Sequence, residues 1–152
     1  MGAKERQGDH RTPEGTYTIS GRNSKSKFHH SLRISYPSAA DRERAKKVKV
    51  DPGGDIMIHG LPNGFGWLGK SHLKVDWTDG CIAVTNDEIE EIWKLVPDGT
   101  TVVLQPLNAK SRGTIPRLPA TFGFYFPLLL NAKSTVISAV KASGCPSCMY
   151  GA

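Results

Sequence analysis

The sequence predicts a mostly β domain with one or two short helices. Between residues 16 and 105, short segments with alternating or β-branched apolar residues are separated by turns that contain Gly and Pro. Only two segments carry the capping and spacing signals of a helix. At 152 residues with 38% apolar residues, the chain is long enough for one domain with one hydrophobic core.

The first half of this domain is predicted to hold two strands and a charged helix. Residues 12–15 form a turn signal that leads into the β-prone run 16–19, and we expect the polar residues 21–27 to form a loop. The alternation of apolar and polar residues over 32–36 predicts the next strand. Residues 38–49 begin with the Ser and acidic residue of a helix cap, and they predict a charged helix with a solvated face.

The next segment is predicted to be a short strand and a long loop. Residues 55–59 are mostly apolar and follow a Pro-Gly-Gly turn, and this strand ends at His59. Residues 60–72 are rich in Gly and carry Trp67, so we expect a loop with aromatic surface. Such a loop serves as a lid or substrate wall, or it packs through its aromatic side chains.

The clearest helix signal follows residue 84. Thr85 and Glu88 have the spacing of a capping box. The apolar residues behind them have the i, i+3, i+4, i+7 spacing of a buried stripe: Ile89, Ile92, Trp93 and Val96. The β-branched run 100–105 predicts a last strand, so we expect one domain over residues 1–106.

Residues 107–152 differ in composition and are expected to form a basic tail of unknown structure. The chain has a net charge of +6, but no acidic residue follows Asp98. Residues 1–106 carry fifteen basic and fourteen acidic side chains, a net charge of only +1. The excess charge therefore belongs to the tail, and nucleic-acid binding loses its main support. A weak helical spacing occurs at residues 134–142.

Several other classes of protein are excluded. No apolar segment approaches the roughly 18–20 residues of a membrane-spanning helix. The N-terminus lacks the apolar centre of a secretory signal, so we expect no export signal in the chain as written. The cysteines are Cys81 and a Cys145/Cys148 pair, which give no disulfide framework and lack the second ligand pair of a zinc knuckle.

The informative residues are His59-Gly60 and the segment Thr78-Asp79-Gly80-Cys81-Ile82. A thiol becomes a good nucleophile when a nearby imidazole takes its proton. Gly80 allows close approach of a substrate, and the Gly80 and Cys81 N–H groups can then stabilise an oxyanion. A backbone carbonyl near Gly60 can fix the imidazole tautomer. The alternative interpretation is that Cys81 is a small buried apolar residue.

Three ordered motifs resemble a known family. They read Gly8-Asp9-His10-Arg11-Thr12-Pro13-Glu14-Gly15, then Asp51-Pro52-Gly53-Gly54-Asp55 before Ile58-His59-Gly60, then Thr78-Asp79-Gly80-Cys81-Ile82-Ala83-Val84-Thr85-Asn86. With these motifs the chain resembles the L,D-transpeptidase catalytic domain, or YkuD-like, family over about residues 7–106. The resemblance implies a β-sandwich-like catalytic domain with one or two short helices.

The resemblance also implies a peptidoglycan enzyme that serves cell-wall biogenesis and cell shape. Cys81 would attack the bond between the third stem residue, commonly diaminopimelate, and D-alanine, and would form a thioester. An amine of a second stem peptide or of a lipoprotein lysine would resolve it, with His59 as general base and acid. Gly60 would orient His59 through its backbone, and Gly80 would supply an oxyanion N–H. No metal or organic cofactor is implied.

The implied substrate contacts and compartment are further expectations. Thr78, Asp79, Trp67 and Arg22 are the expected substrate-binding residues. The family implies a periplasmic or cell-envelope location and peptidoglycan stem peptides as partners, with no nucleic acid. Only seven residues precede Gly8, so we expect the domain to be incomplete at its N-terminus.

Two positions depart from the common family pattern. Many relatives carry His or Lys where Asp79 stands, and a carboxylate close to the thiol would raise the thiol pKa. We therefore expect Asp79 to point away or to pair with Arg22, Arg33 or Lys74. Ala83 replaces a usual Arg, which removes a potential carboxylate or phosphate clamp.

Three alternatives remain open at this stage. The same thioester could be resolved by water, which would make the protein an L,D-carboxypeptidase or amidase. The chain could instead be a non-catalytic wall-binding module that holds anionic polymers through its basic tail. A zinc site built from His59, Cys81 and His29 or His30 is a further alternative, although the spacing fits no structural zinc pattern.

Overall fold

The structure is a computed structural model that describes residues 3–105 and the backbone of residues 129–131 and 134–136. The strands in chain order are β1 (Gly15–Ser26), β2 (His29–Ile34), β3 (Met57–His59), β4 (Ile82–Ala83), β5 (Thr101–Leu104), β6 (Leu129–Asn131) and β7 (Ser134–Val136). The α-helices are α1 (Ala39–Lys47) and α2 (Asn86–Leu95), and short 3₁₀ turns span Gly66–Lys74. The prediction of a mostly β domain with few short helices is confirmed.

The first five strands form one mixed sheet in the order β4-β3-β2-β1-β5. All neighbouring pairs are antiparallel except β3 and β4, which run parallel. A parallel pair needs a crossover connection, and the long segment from residue 60 to residue 81 provides it. This connection places a large loop directly beside the ends of β3 and β4. Strands β6 and β7 form a separate antiparallel pair.

The core lies between the sheet and α2. The alternation predicted for β1 and β2 is present: Tyr17, Ile19, Leu32 and Ile34 are buried. The predicted stripe of α2 packs against them, with Ile89, Ile92 and Val96 buried and Trp93 partly buried. Both predicted capping boxes, at Ser38 and at Thr85, are present.

Two predictions of local structure are wrong. Residues 21–26 continue β1 instead of forming a loop, because their backbone pairs with β2 and two register irregularities absorb the local bends. Residues 134–136 form a strand rather than part of a helix. The predicted boundary near residue 106 stays a prediction, since most of the basic tail lies outside the described residues.

Candidate active site

The pairing of β3 with β4 brings the two predicted catalytic residues to neighbouring positions. Ile58 lies opposite Ile82 and His59 lies opposite Ala83 in the parallel register. Cys81 immediately precedes β4, so its backbone lies beside β3 near Met57. Residues that are 22 positions apart in the chain thus share one edge of the fold.

His59 is held in one orientation. Its side chain is buried, and its Nδ1 lies 2.7 Å from the carbonyl oxygen of Gly60. Because a carbonyl only accepts, Nδ1 carries the proton and Nε2 is left as the basic nitrogen. The rings of Phe28 and Trp77 lie 4.6 and 5.6 Å from the imidazole, centroid to centroid. The Gly60 carbonyl and the two aromatic rings together hold the imidazole in place.

The Cys81 thiol lies in a partly buried site at the same edge. It donates a long hydrogen bond of 3.6 Å to the carbonyl oxygen of Asp55. Burial is the main cause that raises the pKa of Cys81, while the Met57 backbone N–H lowers this pKa. The Asp79 and Asp55 carboxylates raise the pKa further, and the Lys4 ammonium lowers it.

The surroundings of Cys81 and His59 favour the uncharged form of both side chains. Burial lowers the pKa of His59, and the nearby His72 lowers it further, whereas the bond to Gly60 raises it. Within residues 3–105 the hydrogen bond of Cys81 goes to Asp55 and that of His59 goes to Gly60, so no direct hydrogen bond joins them. Catalytic hydrogen bonds are often looser before substrate binds. Burial therefore opposes the charged form of both the thiol and the imidazole.

Cys81 sits at the end of a tight turn. The Thr78 hydroxyl donates to the Cys81 carbonyl at 2.8 Å, so this predicted substrate contact is engaged in the turn itself. Gly80 has a φ of +106°, a conformation that L side chains rarely adopt. A Cβ added at Gly80 would overlap the backbone carbonyl oxygen of Arg11. The turn therefore requires Gly at position 80 for both conformation and space.

We expect Gly80→Ala to lower the free energy of unfolding by about 1–3 kcal/mol, because a strained backbone and an overlap with Arg11 are added together. Urea denaturation followed by tryptophan fluorescence measures this change. Gly54→Ala is the matched control, since a Cβ at Gly54 meets nothing within 4 Å. Equal stabilities for the two variants would contradict the prediction.

The expected partners of Asp79 are wrong. Its carboxylate lies 2.6 Å from Nδ1 of His10, on the N-terminal segment. Arg33 instead pairs with Asp55 at 2.6 Å, because β2 and the turn before β3 place those two side chains together. Asp79 is thus paired, as expected, but with a residue 69 positions away in the chain.

Arg22 is also placed differently from the sequence expectation of a substrate contact. Its guanidinium pairs with Asp98 at 2.7 Å, donates to the carbonyl oxygens of Trp93 and Val96, and stacks on the Trp93 ring. These carbonyls lie at the C-terminal end of α2, where a cation satisfies groups that have no partner within the helix. Arg22 therefore connects β1 to α2.

The loop over residues 60–77 covers this edge and keeps Trp67 at its surface, 78% exposed. Its anchor is Asn86, whose side-chain oxygen accepts a hydrogen bond from Leu61 N at 2.9 Å. Gly60 and Gly66 both pack so closely on this amide that a Cβ would lie 2.9 and 2.7 Å from its oxygen and nitrogen. Sequence reasoning missed Asn86, although an Asn directly after Thr85 was a visible signal.

A second histidine, His72, was also missed. It lies within the 3₁₀ turns, is 6% exposed, and packs edge-on against Trp77 with 6.4 Å between ring centroids. Its Nε2 has no hydrogen-bond partner within residues 3–105. Burial lowers the pKa of His72, and only the nearby Glu88 opposes this shift. No sequence pattern marks a single His in a glycine-rich loop as buried.

We expect the protein to lose stability as the pH falls below about 6.5, the ordinary histidine pKa. The unfolded chain binds protons at His59 and His72 before the folded chain does, because burial lowers both folded pKa values. The stabilisation is therefore complete above pH 6.5 and is lost as the pH falls toward the folded pKa values, by at most about 1.4 kcal/mol per pH unit and histidine. Urea denaturation between pH 7.5 and 5.5 measures this slope, which should be shallower in His72→Phe. Identical slopes in both proteins would contradict the prediction.

The zinc hypothesis receives no support from the geometry. His29 and His30 both face Glu90 on α2, with Nε2–Oε1 distances of 2.7 and 3.4 Å. The two rings are stacked with 4.9 Å between their centroids, and His29 has a left-handed φ of 62°. Among the residues that the structure describes, no group of three or more His, Cys, Asp or Glu side chains could hold a metal ion.

The site combines a cysteine and an oriented histidine at the ends of two parallel strands. Domains of this class could use a Cys–His pair for covalent chemistry. The chain belongs to the L,D-transpeptidase catalytic domain (YkuD) family, whose model matches residues 1–104. The resemblance seen in the sequence motifs is therefore confirmed. This family acts on peptidoglycan and is associated with the cell envelope. None of the helices in the described part of the chain is long and apolar enough to cross a membrane.

A relative in sequence supports the same assignment, and a solved structure shares the fold. The chain is 33% identical over 108 residues to the "Putative L,D-transpeptidase YafK" of Escherichia coli strains K12 and O157:H7, covering 70% of this chain and 36% of each relative. Among solved structures, its fold is similar to that of the helical cell shape determining protein Pgp2 from Campylobacter jejuni, at a TM-score of 0.51 and 24% identity. That match covers 94% of this chain and 36% of Pgp2. The chain thus spans about a third of the length of these proteins.

Proposed function

We propose that this domain is a cysteine acyltransferase that cleaves peptidoglycan stem peptides and transfers the acyl group to an amine. The observation that supports the proposal is the parallel pairing of β3 with β4, which puts Cys81 and His59 on neighbouring strands, together with the contact between His59 Nδ1 and the Gly60 carbonyl. This contact leaves Nε2 as the only imidazole nitrogen that can accept the thiol proton. The reaction is an L,D-transpeptidation, in keeping with the family.

The first half-reaction releases D-alanine. Nε2 of His59 takes the proton of the Cys81 thiol while the sulfur attacks the carbonyl carbon of the third stem residue. The resulting oxyanion accepts hydrogen bonds from the N–H groups of Gly80 and Cys81 in the tight turn. The imidazolium then gives its proton to the leaving nitrogen, the carbon–nitrogen bond breaks, and a thioester remains on Cys81.

The second half-reaction transfers the acyl group. An amine on a second stem peptide, or on a lipoprotein lysine, gives a proton to His59 and attacks the thioester carbon. The carbon–sulfur bond breaks and the thiol is restored. Water in the same position would yield a tripeptide, so access of the acceptor decides between transfer and hydrolysis.

Substrate would enter along the loop that carries Trp67. The Trp67 ring is 78% exposed, the Trp77 ring lies 5.6 Å from that of His59, and Thr78 and Asp79 precede Cys81 in its turn. Five large apolar side chains of this loop are at least 36% exposed: Phe65, Trp67, Leu73, Val75 and Trp77. Arg22 is left out of the substrate site because its guanidinium is bound to the end of α2.

The experiment is incubation of the protein with a disaccharide tetrapeptide, followed by mass spectrometry. Cross-linked dimers together with free D-alanine support transfer, and tripeptides together with free D-alanine indicate hydrolysis. If D-alanine is not released in either form, the proposal is wrong.

A carbapenem separates catalysis from a purely structural wall-binding role. We expect a mass adduct on Cys81 in the folded protein, because an activated thiol opens the β-lactam. A well-folded sample that binds sacculi but forms no adduct would favour the non-catalytic module instead.

A further inference from the structure

A carboxylate stands two residues before the nucleophile, where its charge opposes ionisation of the thiol. Asp79 is one of two acidic residues whose charge raises the pKa of Cys81, the other being Asp55. The Lys4 ammonium acts in the opposite direction and lowers this pKa. A site that must form a thiolate would be expected to contain a device that limits the effect of Asp79.

The N-terminal segment contacts the nucleophile turn at two consecutive residues. Nδ1 of His10 lies 2.6 Å from Oδ1 of Asp79, and the next residue, Arg11, places its carbonyl oxygen directly under Gly80. A carboxylate only accepts hydrogen bonds, so His10 is the donor. Two residues of one segment therefore meet two residues of the turn that presents Cys81.

His10 adopts an unusual backbone conformation to make this contact. Its φ is 55°, in the left-handed region that residues other than Gly enter rarely. Such conformations persist where the surroundings fix them, and they concentrate at functional sites. The nucleophile neighbour Asp55, which accepts the thiol hydrogen bond, has a similar φ of 54°.

The surroundings that fix His10 centre on Asp9. Its carboxylate accepts from the buried ammonium of Lys4 at 2.9 Å and from the backbone N–H groups of Glu5, Arg6 and Arg11 at 2.7, 3.1 and 3.0 Å. Although burial opposes it, this set of donors holds the pKa of Asp9 well below its usual range. His10 thus stands between two anchored residues, Asp9 and Arg11.

We propose that His10 is a positioning residue for Cys81, and that its hydrogen bond to Asp79 fixes the turn that carries the nucleophile and offsets the charge of that carboxylate. We call this contact the His10–Asp79 clasp. The proposal rests on the proposed function only in taking Cys81 as the nucleophile. Because both side chains are more than two-thirds exposed, the expected effect is moderate.

The test is a double-mutant cycle read by the rate at which iodoacetamide alkylates Cys81 at pH 7.5. We expect His10→Ala to slow alkylation about two- to five-fold, since Asp79 then acts on the thiol unopposed. Asp79→Asn should accelerate alkylation by a similar factor. In the Asp79→Asn background, His10→Ala should have no further effect, because the carboxylate that it offsets is gone.

Two further variants separate the clasp from general effects. His10→Asn should retain the wild-type rate, because Asn tolerates a left-handed backbone and supplies an N–H donor. Arg11→Ala removes a positive charge from the same segment at a side chain that pairs with Glu5 at 3.5 Å, and it should leave the rate unchanged. A slowing by Arg11→Ala equal to that by His10→Ala would show a nonspecific loss of charge and would overturn the proposal.

The proposal is also overturned if His10→Ala alkylates at the wild-type rate, or if it slows alkylation equally with and without Asp79. Alkylation needs no substrate, so this cycle remains informative even if the protein releases no D-alanine. If the wild type releases no D-alanine, the proposed function is wrong, but the proposal for the His10–Asp79 clasp is unaffected. If D-alanine is released normally but the variants do not change the alkylation rate, only the proposal for the His10–Asp79 clasp is wrong.

Discussion

Cys81→Ala is expected to reduce D-alanine release from a tetrapeptide by at least about 10³-fold, because removal of a nucleophile eliminates the covalent route altogether. Direct attack by water has no comparable help, because water is a weaker nucleophile than a cysteine sulfur. Mass spectrometry of the released amino acid measures the effect, and the same sample should lose the carbapenem adduct.

The control for Cys81→Ala is the free energy of unfolding. Cys81 is only partly buried and its one hydrogen bond is long, so its removal should change stability little. A stable variant that still released D-alanine would show that the chemistry does not pass through Cys81, and both transfer and hydrolysis by a thioester would then be ruled out.

His59→Ala is expected to lower kcat by about 10²- to 10⁴-fold, the usual contribution of a positioned general acid and base. The physical reason is that burial raises the pKa of Cys81, so without an imidazole almost all of the thiol stays protonated at neutral pH. KM should change less than kcat, because His59 acts on the proton rather than on the bound stem peptide. Steady-state kinetics of D-alanine release separate the two parameters.

The pH profile of the wild type gives an independent test of His59. The basic form of the imidazole must be present for proton transfer, and burial lowers its pKa. The acid limb of kcat/KM should therefore fall below pH 6.5, and it should be absent in His59→Ala. An acid limb above pH 6.5 would indicate that the titrating base is another group.

Much of the local structure could be predicted from the sequence. The alternation in β1 and β2, the capping boxes and the buried stripe of α2 are encoded by neighbours in the chain, and the structure contains them. Residues 21–26 were not recognised as strand because their side chains are polar, while the pairing that makes them a strand is a backbone property. The resemblance of three ordered motifs was sufficient to identify the family.

Sequence reasoning could also select Cys81, His59 and Gly60, because their chemistry is specific and the motif around them is short. It could not predict that His10 holds Asp79, that Arg22 caps α2, or that His72 is buried beside Trp77. Each of these contacts joins segments that no local pattern relates. Their partners follow from which chain segments the fold brings together.

The sequence by itself therefore determined the class of fold, the family and the two residues that could perform the chemistry, since each is written in local patterns and residue types. Only the tertiary structure decided how those residues are oriented and which charged groups lie near Cys81. The reason is that long-range contacts depend on strand order and register, and here the parallel pairing of β3 with β4 and the path of the N-terminal segment set both.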